Sequence, residues 1–389
     1  MGQKTVTALR VFFYVQHLLG IGHLVRSNRI AEALRDRGFD VTVAMGGVPV
    51  AGFPSQGIGV VQLPPVRAGG GGFSTLEDAS GRSVDDAFRA DRRQMLLAAL
   101  ADCQPDALIV ETFPFGRRLM RFELLPLLEA ARAMRPRPLI ACSVRDILQE
   151  RGKPGRAEET VETIGKYFDL VTVHGDPKFA SFGETFPLAD ALAKQIAYTG
   201  LVSGPPPPLP SQHFDIVISA GGGAAGLTLV NSAFAMAKRL GDKWRYCLIT
   251  GPNLPPAASL ALKEEPVPGL ESFSFRADFP SLLRGARLSI SQAGYNTVCD
   301  ILRAGCRSLL IPFSAGGETE QTARAIRLNR LGLARMLPEE GLDAAGLTSA
   351  AESALAGPPP PLHGLDLDGA RRTAELLQNC LSAKSGRSA

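Results

Sequence analysis

The feature that most constrains this chain is one alternation that occurs twice: short apolar runs separated by stretches with the spacing of amphipathic helices. The runs of the first half are RVFFYV, DVTVAM, ALIVE, PLIACS and DLVTVH, and those of the second half are DIVISA, RYCLIT, LSISQ and SLLIP. Strands that are apolar on both faces and alternate with helices form parallel sheets covered on each side. The sequence therefore predicts an α/β protein with two Rossmann-like domains that face each other across a cleft.

A proline-rich segment, GPPPPLP at residues 204–210, separates the two halves. Such a segment forms neither a helix nor an interior strand and favours an extended spacer. We predict an N-terminal domain at 1–203, a linker at 204–210, a C-terminal domain at 211–362, and a final helix and tail at 363–389. A chain of 389 residues, 45% of them hydrophobic, is long enough for each domain to bury its own core.

Composition argues against several classes of protein. The net charge is only +4 and is spread along the chain, so we expect no nucleic-acid partner. The sequence shows no run of about 18 apolar residues and no signal-peptide pattern, which predicts a cytoplasmic protein that at most touches the inner face of a membrane. The six cysteines contain no C-x-x-C pair and are predicted to be reduced core residues.

A glycine-rich loop follows the first strand of each half. The loop QHLLGIGH contains Gly20, Gly22 and His23, and the loop SAGGGAAG begins at Ser219. In open parallel sheets, ligands bind beyond the carboxyl ends of the strands, where glycines permit close approach and a helix N-terminus attracts negative charge. Both loops are therefore predicted to contact a ligand, although a tight strand–helix turn is the alternative for the second. The glycines concerned there are Gly221, Gly222 and Gly223.

The second loop also matches the motif G-x-G-x-x-G, so a dinucleotide site is an alternative to a substrate site. A nicotinamide cofactor needs an acidic residue at the end of the following strand. That strand ends LITGPN, and the corresponding strand of the first half ends VAMGG, so both lack the acid. We expect no cofactor, and we assign Thr250 and Gly251 of LITGPN to the substrate site instead.

The segment at residues 289–325, SISQAGYNTVCDILRAGCRSLLIPFSAGGETEQTARA, carries the most informative pattern. Gly294, Asn296 and Thr297 follow a strand at the start of a helix, and Asp300 lies on that helix. Loop amides and the helix dipole suit a diphosphate, and a carboxylate one turn further accepts the two hydroxyls of a ribose. An acid that merely stabilises the helix dipole is the alternative for Asp300.

Three further polar residues, Glu318, Glu320 and Gln321, follow the next strand and suit the hydroxyls of a sugar. With the preceding segment they resemble the two-domain GT-B glycosyltransferases, in particular the N-acetylglucosaminyltransferases that make the peptidoglycan lipid precursor. The resemblance is loose over both domains and specific at 294–321. It implies that Asp300 binds the ribose and that Glu320, a glutamine in those enzymes, contacts the donor sugar with Gln321.

The same resemblance places the uracil of the donor against the backbone near Phe275 and Arg276. The first domain is similar to a different relative: GIGHLVR at 20–26 matches the G-x-G-H-x-x-R loop of the UDP-sugar hydrolase of pseudaminic acid synthesis. In that family the histidine that matches His23 is the proposed general base. His23 is accordingly our candidate base, with a structural cap as the alternative.

Polar residues at other strand ends leave alternatives open. Glu111, after the strand ALIV, either orients the acceptor, serves as the base, or binds local backbone amides. His17 and His174 are more often turn residues than substrate ligands, and a salt bridge is slightly favoured for Arg145 with Asp146.

Three segments outside the strand ends carry further predictions. The basic segment at 116–138 predicts either membrane docking or, more often, a core helix with a basic face. Residues 69–72 and the polar stretch to 86 predict a mobile loop over the acceptor. The triplet DLD at 366–368 is explained better by helix capping than by metal binding.

Taken together, the residues predict an inverting, metal-independent glycosyltransferase that uses a UDP-sugar or a related nucleotide sugar. Its acceptor, a sugar or a lipid, is not identified by the sequence. The alternatives are a nucleotide-sugar hydrolase with the same residues, an epimerase on the same frame, and a sensor that binds sugar nucleotides without turnover.

Overall fold

A computed structural model of the chain describes residues 8–18, 20–69, 72–149, 154–221, 226–251 and 254–386. It divides into two compact units, one formed by Met1–Val202 with Leu365–Ala389 and the other by Ser203–Gly364. Each unit contains a parallel sheet with helices between successive strands, so the predicted pair of Rossmann-like domains is confirmed.

The first unit alternates strands and helices along the chain. Its elements are β1 (Arg10–Val15), α1 (Gly22–Asp36), β2 (Asp40–Met45), β3 (Gly59–Gln62), β4 (Val66–Gly69), β5 (Gly72–Asp78), α2 (Asp86–Cys103), β6 (Ala107–Glu111), α3 (Arg121–Ala133), β7 (Leu139–Arg145), α4 (Arg156–Tyr167), β8 (Leu170–His174) and β9 (Ile196–Tyr198). The main sheet has the order β3-β2-β1-β6-β7-β8-β9, and all its pairs are parallel. The inner strands β1, β6, β7 and β8 are buried along most of their length, as expected for a sheet with two covered faces.

The strands β4 and β5 form a separate antiparallel hairpin. The prediction of a mobile loop from 69 to 86 is therefore wrong at residues 72–78, while 70–71 lie outside the described residues. The sequence contains a reason for the strand, because Leu76 lies opposite Ala68 and is buried with Val66 in the core of this unit. The carboxylate of Asp78 then closes the next turn by accepting the backbone N–H of Ser80 at 2.8 Å.

The second unit repeats the alternation with shorter strands. Its elements are β10 (Ile216–Ser219), α5 (Leu227–Leu240), β11 (Tyr246–Ile249), α6 (Pro256–Glu264), β12 (Leu270–Phe273), α7 (Phe279–Gly285), β13 (Leu288–Ser291), α8 (Tyr295–Ala304), β14 (Ser308–Leu310), α9 (Glu320–Arg330), β15 (Arg335–Met336) and α10 (Ala344–Ala356). The sheet has the order β12-β11-β10-β13-β14-β15, again with parallel pairs. The chain reverses its direction of winding between β10 and β13, which places the loops after these two strands side by side.

The last helix, α11 (Gly369–Gly386), belongs to the first unit although it follows the second in sequence. It packs against α1, and Arg37 donates to the carboxylate of Glu375 at 3.1 Å across that contact. The proline segment at 204–210 makes contacts within the second unit, where the guanidinium of Arg284 donates to the carbonyl of Pro207.

Candidate active site

His23 stands at the edge of the first sheet where β1 and β6 end. It is the second residue of α1, and its Nδ1 lies 2.7 Å from Oε1 of Glu111, the last residue of β6. The two strands are parallel neighbours, so their following loops meet at one edge. The His23 side chain is 17% exposed, and its Nε2 has no hydrogen-bond partner among the described residues. The pairing with Glu111 therefore turns Nε2 into the ring atom that is available to a substrate.

Glu111 is fully buried and its Oε1 accepts from several groups. The Arg26 guanidinium and the Thr112 hydroxyl, the latter at 2.5 Å, join His23 on this oxygen, while Oε2 has no partner in the described part of the chain. Burial by itself would raise the pKa of Glu111, but His23 and Arg26 hold it well below its usual range. This placement favours a residue that orients His23 over the predicted roles of independent base or acceptor ligand.

The surroundings of His23 keep its imidazole neutral. Burial, with the nearby Arg117 guanidinium, lowers the pKa of His23 to about 3. The sequence alone predicts the unperturbed value, about 6.5, so the structure corrects that expectation downward. A neutral imidazole whose Nδ1–H points at a carboxylate has its lone pair on Nε2, which is the form that accepts a proton.

His174, the other candidate at a strand end, has two neutral partners. Its Nε2 lies 2.8 Å from Oγ of Ser143, and its Nδ1 lies 2.9 Å from Oγ1 of Thr199. The side chain is fully buried, and burial lowers its pKa to about 3. These contacts make His174 part of the packing between neighbouring strands rather than a ligand of substrate.

The low pKa values of His23 and His174 predict acid sensitivity. Because His23 and His174 titrate near 3 when folded but near 6.5 when unfolded, their full contribution to stability is present above about 6.5 and is lost as the pH falls towards 3. We expect the free energy of unfolding in urea to be lower at pH 5 than at pH 7 by about 2 kcal/mol for each histidine. His174→Gln should remove the part of this pH dependence that His174 contributes. Equal free energies at the two pH values would contradict the prediction.

The loop before α1 contains the other predicted residues of this unit. Gly20 and Gly22 lie on either side of Ile21, which caps α1 without a side-chain hydrogen bond. The first turn of α1 contains no acidic residue. The N-cap residue of this helix therefore supplies no side-chain acceptor of the usual capping kind.

Glycines near β10 are explained mainly by the turn. Ser219 is the last residue of β10, and Gly221 has φ +74°, a backbone conformation that favours glycine. Gly226, just before α5, packs so closely that a Cβ there would lie 2.4 Å from that of Ala220. Gly222 and Gly223 lie outside the described residues, so their predicted phosphate contact stays a prediction.

The start of α8 differs from that loop in the packing around its glycine. Gly294 is the N-cap of α8 with φ −63°, and among the described residues a Cβ there would meet only Oγ1 of Thr297, at 3.9 Å. Packing within the described part of the chain therefore does not require glycine at this position, which fits a close approach by a ligand. Asn296 and Thr297 belong to the first turn, and the buried Asp300 follows one turn later. An acid in the second turn is too far along the helix for the dipole alternative, because that effect falls off within the first turn.

The residues predicted to contact the sugar lie around the start of α9. Oε1 of Gln321 accepts the backbone N–H of Phe313 at 3.2 Å, which leaves its Nε2 without a partner among the described residues. Oε1 of Glu318 accepts the N–H of Glu320 at 2.9 Å. Glu320 is buried, and its carboxylate pairs with Arg324 at 2.7 Å. Arg324 also donates to the carbonyl of residue 293 at 3.0 Å, so it connects the start of α9 with the loop before α8.

The predicted uracil region lies after β12. Phe275 is 60% exposed, whereas the Arg276 guanidinium is engaged by both carboxylate oxygens of Asp278, at 2.8 and 2.7 Å. Arg276 is therefore a structural side chain, in agreement with a contact that uses backbone. Thr250 is buried after β11 and bonds to backbone carbonyls, and Gly251 has φ +80°.

Sequence reasoning missed four residues of these sites: Arg26, Thr112, Arg117 and Arg324. Of these four, only Arg26 was indicated by a sequence pattern, because it is the arginine of G-x-G-H-x-x-R. Thr112 and Arg117 have φ values of +65° and +57°, which are uncommon for residues with a side chain. No local pattern predicts such a conformation.

Three of the six arginines in the basic segment pair with acids of their own unit. Arg118 and Arg121 both form ion pairs with Glu159 of α4, and Arg137 pairs with Asp169. The apolar face of α3 is buried, which favours the core-helix interpretation over membrane docking. None of the helices in the described ranges has both the length and the apolar character needed to cross a bilayer.

Asp366 of the DLD triplet also has partners within its own segment. It pairs with Arg372 at 2.5 Å and accepts the N–H of Asp368 at 3.0 Å. Within the described part of the chain, no three His, Cys, Asp or Glu side chains are grouped as metal ligands.

Comparison with known proteins identifies relatives of the second unit. Residues 216–359 match the family model of the Glycosyltransferase family 28 C-terminal domain, which covers β10 to α10. A relative from Acidithiobacillus ferrooxidans, the UDP-N-acetylglucosamine--N-acetylmuramyl-(pentapeptide) pyrophosphoryl-undecaprenol N-acetylglucosamine transferase, is 38% identical over 84 residues. That match covers 22% of this chain and 23% of the relative, so it spans about a quarter of the relative's length.

Solved structures extend the likeness to both units. The glycotransferase of kitacinnamycin has a TM-score of 0.64 at 17% identity, over 96% of this chain and 99% of its own. MurG of Acinetobacter baumannii has a TM-score of 0.59 at 16% identity, over 95% and 99%. The chain therefore has the two-domain GT-B fold of these glycosyltransferases, as predicted. The similarity of the loop at 20–26 to a UDP-sugar hydrolase finds no support among these relatives and stays a prediction.

Proposed function

We propose that the chain is an inverting glycosyltransferase that uses a UDP-sugar or a related nucleotide sugar and requires no metal ion. The observation that carries this proposal is the His23–Glu111 pair, a neutral imidazole oriented by a buried carboxylate at the ligand-binding edge of its sheet. The family 28 match of the second unit supplies the expected donor class. The acceptor is a sugar or lipid, and a lipid acceptor would bring the enzyme to the membrane surface.

In the proposed reaction, Nε2 of His23 takes the proton of an acceptor hydroxyl as its oxygen attacks the anomeric carbon. The bond between that carbon and the diphosphate oxygen breaks, and the electron pair leaves with the nucleotide diphosphate. Attack from the opposite face inverts the anomeric centre. Glu111 stabilises the imidazolium that forms, in the way that the carboxylate of a catalytic triad supports its histidine.

The donor is assigned to the second unit. Asp300 accepts hydrogen bonds from the ribose hydroxyls, and the free amide nitrogen of Gln321 donates to the sugar. Backbone amides at Gly294 and at the start of α8 stabilise the leaving diphosphate, because the positive end of the helix dipole faces it. The remaining predicted contacts are Ser219, Gly221, Gly222, Gly223, Thr250, Gly251, Phe275, Arg276, Asn296, Thr297, Glu318 and Glu320.

Replacing Asp300 tests the donor assignment. A carboxylate that accepts hydrogen bonds from ribose contributes roughly 1.5 to 3 kcal/mol, so Asp300→Asn should bind UDP about tenfold or more weakly in calorimetry. Asp242→Asn, an exposed acid of the same unit, should bind UDP like the wild type. Unchanged UDP affinity in a folded Asp300→Asn protein would reject the ribose assignment.

The reaction itself is tested by incubation with a panel of nucleotide sugars and measurement of nucleotide diphosphate release. The assay is run with and without a lipid extract and a sugar mixture, and with and without EDTA. Release that requires an acceptor and survives EDTA supports the proposal. Loss of release in EDTA, restored by magnesium or manganese, would reject metal independence.

A second candidate function, a nucleotide-sugar hydrolase, is favoured by the G-x-G-H-x-x-R loop and by a base that deprotonates water as readily as a hydroxyl. It predicts release that does not depend on an acceptor. Binding of nucleotide sugars without any release would point to a sensor.

A further inference from the structure

Arg117 lies on the loop that follows β6, next to the His23–Glu111 pair, and the proposed reaction gives it no role. Its Nε donates to the backbone carbonyl of Gln16 at 2.8 Å. Gln16 is itself fixed, because its side chain accepts from the guanidinium of Arg92 at 2.7 Å. Arg92 is buried and forms a 2.6 Å ion pair with Glu123. The Nε side of the Arg117 guanidinium is therefore anchored to a buried network of hydrogen bonds and one ion pair.

The two terminal nitrogens of Arg117 have no hydrogen-bond or ion-pair partner among the described residues. The side chain is only partly exposed, so water solvates the charge incompletely. The carboxylate beside it, Glu111, is already shared by His23 and Arg26. A partly buried guanidinium that is fixed through Nε, and whose neighbouring carboxylate is bonded to other groups, is suited to receive an anion on its two terminal nitrogens.

The local charge supports the same conclusion. Burial, with the positive charges of Arg145 and Arg26, lowers the pKa of Arg117 although Glu111 opposes the effect. Arg117 in turn helps to keep His23 uncharged. An oxyanion bound here would reduce the surplus of positive charge that these contacts reveal.

We propose that Arg117 forms an oxyanion subsite beside His23, which binds a phosphate or carboxylate group of the acceptor close to its reacting hydroxyl. The inference rests on the proposed function and narrows the acceptor to molecules that bear such a group. Phosphate and carboxylate both accept two parallel N–H bonds from a guanidinium.

The subsite is tested by NMR titration of the His23 imidazole resonance in the full chain, with saturating UDP present to fill the nucleotide site. His23→Gln identifies that resonance, and inorganic phosphate and acetate are the two probes. We expect a saturable shift in the wild type, and an affinity at least about tenfold weaker in Arg117→Met. Arg132→Met, at an exposed arginine of α3, is the matched control and should behave like the wild type.

Arg117→Lys retains the positive charge but lacks the planar guanidinium with its paired N–H donors, so it should bind the probes with intermediate affinity. This variant keeps the test valid if Arg117→Met folds poorly. Tighter binding of phosphate than of acetate assigns a phosphate-bearing acceptor, and the reverse assigns a carboxylate. No saturable shift in the wild type, or equal affinity in Arg117→Met, would overturn the subsite. Because the titration needs no turnover, an inactive protein that still binds phosphate through Arg117 would reject only the proposed transferase function.

Discussion

His23→Ala is expected to lower kcat by about 100- to 10,000-fold, the usual contribution of a positioned general base. The reason is the geometry of the pair: Nδ1 is engaged by Glu111 at 2.7 Å, so Nε2 is the atom that takes the acceptor proton. His23→Gln should be no better, since an amide keeps a hydrogen bond but cannot accept the proton. His213→Ala, at an exposed histidine of the other unit, serves as the control and should retain full activity.

Two further measurements separate a base from a structural cap. The affinity for UDP should not change in His23→Ala, because the residues assigned to the nucleotide belong to the other unit. The wild-type rate should fall on the acid side only well below pH 6.5, since the base must be neutral and burial and Arg117 lower its pKa. Near-normal turnover of a folded His23→Ala protein would leave the histidine as a cap of its loop.

Much of this arrangement follows from sequence because it depends on short-range patterns. The apolar runs predicted the inner strands of both sheets, and parallel sheets collect the residues after those strands at one edge. His23 and Glu111 are 88 residues apart, yet each follows an inner strand, so their common edge could be predicted. Their direct contact could not, since it depends on the side-chain conformations that packing selects.

Long-range electrostatics explains most of what the sequence missed. The roles of Arg26, Arg92 and Arg117 depend on carboxylates and carbonyls from distant elements, and no spacing rule indicates such partners. The low pKa of His23 has the same origin, because burial and a remote cation set it. In the second unit, the ion pair of Glu320 with Arg324 is a local i, i+4 pair, but its burial and its link to residue 293 appear only in the fold.

The hairpin formed by β4 and β5 shows a different reason why a prediction from sequence fails. Glycines at 69–72 and polar residues after them are typical of a loop, so the local sequence predicts one. One buried leucine, Leu76, packs against the core from the second strand of the hairpin. Tertiary packing therefore overrode the local propensity at this position.

Glu111→Gln is expected to lower kcat to nearly the level of His23→Ala. Arg26 donates to Oε1 of Glu111, and in the glutamine variant the amide oxygen stays on this cation while the amide N–H₂ faces Nδ1 of His23. Nδ1 then accepts a hydrogen bond and the ring proton moves to Nε2, so the atom that should take the acceptor proton is blocked. A histidine held in the wrong tautomer loses most of its value as a base.

The variant also removes the negative charge that pairs with the buried Arg26, which lowers the free energy of unfolding by about 3 to 5 kcal/mol. Glu123→Gln is the matched control for stability, because it breaks the buried pair with Arg92 in the same unit and makes no contact with His23. It reaches Arg117 only through Arg92 and Gln16, so its kcat should fall far less. Both variants should lose similar stability in urea, but only Glu111→Gln should lose most of its kcat below the unfolding transition. In His23→Ala/Glu111→Gln the second change should cost little further activity, since both residues serve one proton transfer. Equal kcat values for the two glutamine variants would show that Glu111 supports the fold alone, and that His23 needs no partner to act.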